Sequence, residues 1–154
     1  MAKPKVKYLF NEDGTVTFRH SDVGSVSRTT YEGVYRVKSS LSPYDELAAG
    51  RDFRDLLGAR AEMATDHESN IAFALSHLRY RLVEYPSFWR EKSRDGYLGA
   101  DLDANILIAV LDLALNAQFE SNRRLKAEAK RRLGQMAKAL EEADKEGAEE
   151  PDVD

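Results

Sequence analysis

The N-terminal part of the chain alternates between apolar and polar positions in the way that half-buried β-strands do. The runs Val6 to Phe10 and Thr15 to His20 are rich in β-branched and aromatic residues, which favour strands. They are joined by Asn11 to Gly14, whose Asp-Gly pair is a strong signal for a tight hairpin turn. A third run, Tyr31 to Val37, has the same character. The pattern therefore predicts a short antiparallel β-meander over residues 4–38.

Two helices are predicted after the meander because each has its own start signal. Ser42 is a good N-cap residue, and Pro43 suits the first helical position, where a missing N–H costs nothing. This first helix is expected to end near Gly58. Thr65, which is followed by acidic residues, caps the second helix, and Pro86 forbids its continuation.

The second helix has apolar residues on two faces. Phe73 and Tyr80 are seven residues apart and lie nearly opposite the main apolar stripe. Both faces need burial: one can pack on the domain core, and the other must meet the meander, another helix or a second chain. The main stripe consists of Ile71, Leu75, Leu78, Leu82 and Tyr85.

The C-terminal part of the chain is predicted to be helical, with burial that decreases along its length. Residues 104–115 are apolar nearly all round, which is typical of a central, buried helix. A bend or break is expected near Asn116 to Arg123. Beyond it, apolar residues form a stripe only about 80° wide, which indicates a narrow contact. That stripe consists of Leu125, Ala129, Leu133, Met136 and Leu140.

Composition favours one folded domain with a highly charged surface. A chain of 154 residues with 42% hydrophobic and 32% charged residues has enough apolar content for one core. The formal net charge is −4, but residues 141–154 hold eight acids against one lysine, which leaves +3 on residues 1–140. We predict a single α+β domain over 1–140, with the meander followed by three to four helices over 42–140. Residues 141–154 are predicted to be a flexible acidic tail.

The residue inventory argues against several kinds of chemistry. The chain has no cysteine, which excludes disulfides, thiolate metal sites and cysteine nucleophiles. His67 and His77 are ten residues apart on one predicted helix, too far from each other along its axis to hold a metal together. The carboxylate pair Asp101 and Asp103 is typical of a helix start. With no nucleophile elbow and no phosphate loop, we predict a non-enzymatic protein without metal or cofactor.

Two further patterns bear on location. Residues 1–20 lack the apolar stretch of a signal peptide. The longest apolar run, Ile106 to Leu111, is far shorter than the roughly 20 residues that cross a bilayer. The chain is therefore expected to be soluble and cytosolic, with no membrane partner.

A cluster of large aromatic residues surrounds Pro86, just after the second helix. It contains Tyr85, Phe88 and Trp89, the last being the only tryptophan of the chain. Such a cluster either plugs the core between two helices or supplies the anchors of a protein interface. The sequence leaves both interpretations open.

The last helix carries seven basic residues between 123 and 138, against Glu128 as the single acid. A run of this kind can neutralise the phosphates of a nucleic acid. The charges wrap most of the helix, however, and an acidic segment follows at once, which favours a solvated face. Nucleic-acid binding is therefore the alternative function. The residues that would make these contacts are Arg123, Arg124, Lys126, Lys130 and Arg131.

Three short motifs follow one another between residues 40 and 120. They are Leu-Ser-Pro-Tyr-Asp at 41–45, Arg-Leu-Val-Glu-Tyr-Pro-Ser-Phe-Trp at 81–89, and Asp101-Leu102-Asp103 before an apolar helix. Together with the glycine-containing loop between them, they resemble small tail-assembly and structural proteins of tailed bacteriophages, including tail assembly chaperones. The resemblance does not extend to the meander.

This resemblance implies a non-catalytic role in virion assembly, or a minor structural role in the tail, neck or head, through protein–protein contacts. The partners would be other phage structural proteins, namely tail tube, tape measure, neck or capsid proteins, and a homo-oligomer is also consistent with it. The protein would then be found in the host cytoplasm or in the virion. The alternative remains a small regulatory or nucleic-acid-binding protein that uses the basic helix 123–138.

The interface hypothesis assigns the contacts to the aromatic residues of the second helix, the aromatic corner and the stripe of the last helix. These residues are Phe73, Tyr80, Tyr85, Phe88, Trp89, Leu125, Leu133, Met136 and Leu140.

Overall fold

The computed structural model describes residues 6–148, which form the predicted α+β fold. An N-terminal antiparallel sheet is followed by helices. Up to Gln118 the described chain forms one compact unit, and from Phe119 onward it forms a second. The elements in chain order are β1 (Leu9–Phe10), β2 (Thr15–Val23), β3 (Thr30–Lys38), α1 (Pro43–Leu57), a 3₁₀ segment (Gly58–Met63), α2 (Asp66–Arg81), β4 (Leu82–Glu84), α3 (Phe88–Glu91) and α4 (Ala104–Ala148).

The strands form one antiparallel sheet in the order β1-β2-β3-β4. The pairing of β2 with β3 sets Val16 opposite Val37 and Phe18 opposite Tyr35. Because side chains alternate between the two faces of a strand, these four residues share one face, and all four are buried. The predicted meander is confirmed from residue 6 onward, although β1 is shorter than the run 6–10 and β2 continues past residue 20. Residues 4 and 5 of the predicted range lie outside the described residues.

The fourth strand departs from the sequence-based prediction, which extended the second helix to Pro86. Helix α2 ends at Arg81, and β4 then pairs with β3, with Leu82 opposite Val37 and Glu84 opposite Arg36. The helical prediction is wrong here because residues 82–84 pair with β3, which is distant in sequence, and helical spacing does not reveal such a partner. An extended segment gains a hydrogen-bonded neighbour instead.

Both predicted helix starts are confirmed. The Ser42 hydroxyl accepts a hydrogen bond of 3.2 Å from the Asp45 backbone N–H. At α2, the Thr65 hydroxyl accepts from the Glu68 backbone N–H at 3.1 Å, and the Glu68 carboxylate accepts in return from the Thr65 backbone N–H. This reciprocal capping satisfies N–H groups that a helix leaves without internal partners.

The core of the first unit lies among the sheet, α2 and the beginning of α4. On α4, Ile106, Val110 and Ala114 are completely buried, which confirms residues 104–115 as a central helix. The Tyr8 hydroxyl donates a hydrogen bond of 3.0 Å to the Leu113 carbonyl, which ties the chain just before β1 to the same helix.

The C-terminal half of α4 corrects two predictions. The helix is uninterrupted from Ala104 to Ala148, so the break predicted near 116–123 does not occur. That stretch contains neither glycine nor proline, and nothing in it costs enough to end a helix. Residues 141–148 were predicted as part of a flexible tail and are helical, since they are mostly good helix formers. Residues 149–154 of that tail lie outside the described residues.

Candidate protein interface

Residues 119–148, taken by themselves, form an amphipathic helical segment whose apolar side is exposed. Leu125, Leu133, Met136 and Leu140 each expose between 61% and 66% of their surface. At 100° per residue, these four and Ala129 fall within a sector about 80° wide. We refer to Leu125, Ala129, Leu133, Met136 and Leu140 as the apolar stripe.

Local interactions support the helical conformation of this segment. An ion pair of 2.7 Å joins Arg123 to Glu120, and another of 2.7 Å joins Arg132 to Glu128, at spacings that adjoin on a helix surface. Exposed pairs of this kind contribute about 0.3–0.5 kcal/mol each. Most helical stability in proteins comes instead from packing an apolar face. The apolar stripe is therefore the surface through which a partner would stabilise this segment.

Four of the five candidate nucleic-acid contacts lie away from the apolar stripe, namely Arg123, Arg124, Lys130 and Arg131. The fifth, Lys126, borders the stripe, within about 20° of Leu133 on the helix circumference. All five are exposed. The two predicted surfaces of the last helix therefore adjoin at Lys126, and the other four basic residues can be altered without changing the apolar stripe.

Phe73 and Tyr80, predicted as interface residues, contact neighbours within the chain. The Phe73 ring centroid lies 6.1 Å from that of Phe53 on α1 and 3.9 Å from that of His77. The Tyr80 hydroxyl donates a hydrogen bond of 2.6 Å to the Asp52 carboxylate, which raises the pKa of the hydroxyl. The second apolar face of α2 is therefore covered largely by α1, and only Phe73 keeps a third of its surface exposed.

The aromatic corner at 85–89 turns inward. Trp89 has no exposed surface, and its indole N–H donates a hydrogen bond of 2.6 Å to the Tyr35 hydroxyl in the core. The Phe88 ring lies 4.9 Å from the ring of Tyr31. The hypothesis that Trp89 anchors an interface is therefore corrected. Trp89 fills the core, as the other interpretation of the aromatic cluster predicted.

Of the three aromatic residues of the corner, Tyr85 is the one that lines an open groove, together with Ser87. It accepts a hydrogen bond of 3.1 Å from Arg90, whose guanidinium carbon lies 5.8 Å from the ring centre. The groove has a volume of about 600 Å³ and is also lined by Val83 and Glu91. The Arg90 guanidinium and the Tyr85 hydroxyl thus already form a hydrogen bond with each other.

Sequence reasoning missed the buried charged residues beside α2. Asp52 is 5% exposed and accepts a hydrogen bond of 3.1 Å from Arg79 in addition to the one from Tyr80. Arg81 is also 5% exposed and donates to the Gln118 side chain at 2.6 Å, and burial lowers the pKa of its guanidinium. The sequence signal for the burial of Asp52 and Arg81 is weak: each lies next to apolar positions of its helix.

A second missed feature is the attachment of the β2–β3 loop to the start of α4. The Asp103 carboxylate accepts hydrogen bonds of 2.8 Å from the backbone N–H groups of both Val26 and Ser27. Asn105 donates to the Val23 carbonyl at 2.9 Å. The hydrogen bonds from the loop, that of Ser27 first, lower the pKa of Asp103. The residue interpreted only as a helix-start acid thus also holds a loop that is distant in sequence.

Among residues 6–148, no cluster of three or more histidine, aspartate or glutamate side chains is arranged to hold a metal ion. Over the same range, none of the helices has both the length and the apolar character that a membrane crossing requires.

Comparison with known proteins gave no match, whether to family models, to curated proteins or to solved structures. The proposal for its function therefore rests on the chain's own sequence motifs and surfaces.

Proposed function

We propose that this chain is a non-catalytic protein that acts through protein–protein contacts in the assembly or structure of a phage virion, with the apolar stripe as its contact surface. The observation that carries the proposal is the exposure of four large apolar side chains along one face of residues 119–148. Single exposed apolar residues are ordinary on protein surfaces, whereas an apolar face at helical spacing is typical of a helix that binds a partner.

The stripe offers a moderate amount of binding energy. Burying a Leu or Met side chain completely is worth about 1.5–3 kcal/mol, so four side chains that are about two-thirds exposed offer on the order of 4–8 kcal/mol. Association itself costs an amount of similar size. A partner must therefore add contacts of its own, by supplying an apolar face and complementary charge.

The phage role is supported by the three motifs at 41–45, 81–89 and 101–103. The first begins α1, the second spans the end of α2, β4 and the aromatic corner, and the third precedes α4. All three lie in the first unit and none includes a residue of the apolar stripe. The motifs and the stripe are therefore two separate supports for the proposal.

The proposal is tested by purifying tagged, full-length protein from its native source and identifying the bound proteins by mass. Leu133→Gln with Leu140→Gln removes two of the four large side chains of the apolar stripe. Arg131→Gln with Lys138→Gln is the matched control, because it introduces the same residue twice on the opposite side of the helix. We expect virion proteins with the wild type and the control, and their loss with the stripe variant. Retention of the same proteins by the stripe variant would contradict the proposal.

Nucleic-acid binding is the second candidate function, and the exposure of the basic residues opposite the stripe favours it. The two functions give crossed results in the same pair of variants. If the chain binds a nucleic acid, the control Arg131→Gln with Lys138→Gln should weaken binding to a labelled duplex and reduce its salt dependence, whereas the stripe variant should not. Absence of duplex binding by the wild type at low salt would remove this candidate.

A further inference from the structure

All members of the apolar stripe except Leu125 follow a heptad pattern. Leu133, Met136 and Leu140 are spaced by three and then four residues, and the same alternation leads back to Ala129 and Lys126 and forward to Ala143. Spacings that alternate between three and four form the seam along which two helices pack as a coiled coil. Residues 126–143 thus carry a coiled-coil seam, and Lys126 is its only charged member.

The charge of the same segment changes sign along its length. Residues 123–132 carry six basic side chains and one acidic one, a net charge of +5. Residues 139–148 carry four acidic side chains and one basic one, a net charge of −3. Two copies placed side by side in the same direction would bring like charges together at both ends. Two copies in opposite directions bring the basic end of each against the acidic end of the other.

We infer that the apolar stripe is occupied by a second copy of this chain, packed antiparallel along residues 119–148. The inference rests on the proposed function of the stripe as a contact surface and adds the identity and direction of one partner. The seam shows which face is covered, and the reversal of charge determines the direction.

The seam also sets the register of the pair. In an antiparallel coiled coil the two kinds of seam position face each other, so Leu133 packs opposite Met136 of the second copy. Ala129 then packs opposite Leu140 of the second copy, and the two-fold axis passes between residues 134 and 135. Every contact occurs twice, once on each side of this axis.

The flanking charges agree with this register. Arg123 faces Asp144 of the second copy, and Lys126 lies between Glu141 and Asp144 of that copy. Arg123 already pairs with Glu120 in its own helix, at 2.7 Å. That pair is largely exposed and therefore weak, so it does not prevent Arg123 from approaching a second carboxylate.

Exchanging one charge tests the direction of the pair. In Arg123→Glu protein and in Asp144→Arg protein, each homodimer has two like-charged contacts in place of two attractive ones, and we expect its dissociation constant to rise roughly 5- to 30-fold. An equimolar mixture restores opposite charges at both contacts, so the mixed dimer should recover the wild-type constant. Mixed and single-variant dimers of equal strength would overturn the antiparallel arrangement.

Introduced thiols give a second test, because the chain has no cysteine of its own. Full-length Ala129→Cys and Leu140→Cys proteins are oxidised separately and as a mixture, and disulfide-linked dimers are identified by intact mass. Disulfides require Cα atoms within about 4.4–6.8 Å, so only the mixed dimer should form in the antiparallel register. Self-linked Ala129→Cys dimers as the main product would indicate a parallel pair and overturn the inference.

Sedimentation equilibrium separates failure of this inference from failure of the proposed function. We expect the wild type and Arg131→Gln with Lys138→Gln to dimerise equally. Leu133→Gln with Leu140→Gln should dimerise at least 10-fold more weakly. A wild type that stays monomeric at millimolar concentration overturns self-pairing, whereas the co-purification of virion proteins would still decide the proposed function independently.

Discussion

Replacing Tyr35 with phenylalanine removes a single oxygen atom from the centre of the core and leaves the ring contacts in place. Tyr35 is 1% exposed, and its ring stacks on Phe18 with 5.4 Å between centroids. Its hydroxyl accepts the hydrogen bond from the indole N–H of Trp89, which has no exposed surface. The substitution therefore deprives a fully buried donor of this acceptor without changing the apolar packing.

The expected cost follows from that geometry. Leaving a buried donor unsatisfied costs about 1–3 kcal/mol, whereas an ordinary surface substitution stays within about 0.5 kcal/mol. We expect Tyr35→Phe to lower the free energy of unfolding by about 1–3 kcal/mol in urea, monitored by circular dichroism. Tyr44→Phe is the matched control, because it removes the same atom from a residue that is 78% exposed. Equal stability of the two variants would refute the role given to the buried hydrogen bond.

Three further predictions concern the same unit. Gly99 has φ +72°, and an added Cβ would lie 2.5 Å from the Trp89 ring. Gly99→Ala should therefore destabilise the protein by more than about 2 kcal/mol in urea. Gly50→Ala in α1 is the comparison variant and should instead stabilise the protein by about 0.5–1 kcal/mol. Asp52→Asn should cost about 1–3 kcal/mol, and an unchanged urea midpoint would argue against the buried carboxylate as a contact between α1 and α2. Burial raises the pKa of Tyr35 to about 12, above the value near 10 of an unfolded tyrosine, so the stability from this group is complete below about pH 10 and is lost as the pH rises towards 12. Titration of the unfolding free energy should show a shallower alkaline loss in Tyr35→Phe.

Local signals in the sequence predicted the parts of the fold that depend on neighbouring residues. The caps at Ser42 and Thr65 act over three residues, and the hairpin turn ending at Gly14 acts over four. Periodicity alone indicated the buried start of α4. In each case the interaction that decides the local structure lies within the segment that carries the signal.

The features that were missed depend on residues distant in the chain. Strand β4 forms because β3 offers an edge to pair with, 48 residues away between Arg36 and Glu84. Trp89 turns inward because the Tyr35 hydroxyl, 54 residues away, accepts its N–H. A cluster of aromatic residues has the same composition in a core and in an interface, so only the tertiary fold distinguishes the two.

The candidate interface shows the same limit. Helical spacing was enough to predict the apolar stripe and to indicate that its contact is narrow. Its exposure depends on whether any other part of the chain covers Leu133 or Leu140, and spacing carries no information about that. Within residues 119–148 these side chains are about two-thirds exposed. The reversal of charge along the same segment is the reason why a second copy is proposed as their partner.

The antiparallel pairing of residues 119–148 is tested most directly by distances between spin labels in the full-length dimer. One variant carries its label at Lys138→Cys and the other at Lys145→Cys, both on the side of the helix away from the apolar stripe. With a rise of 1.5 Å per residue and a two-fold axis between residues 134 and 135, labels at 138 are separated by roughly 10 Å along the helix axis and labels at 145 by roughly 30 Å. Pulsed electron resonance should therefore give a clearly longer distance at 145 than at 138. Equal distances at the two positions would indicate a parallel pair and contradict the account.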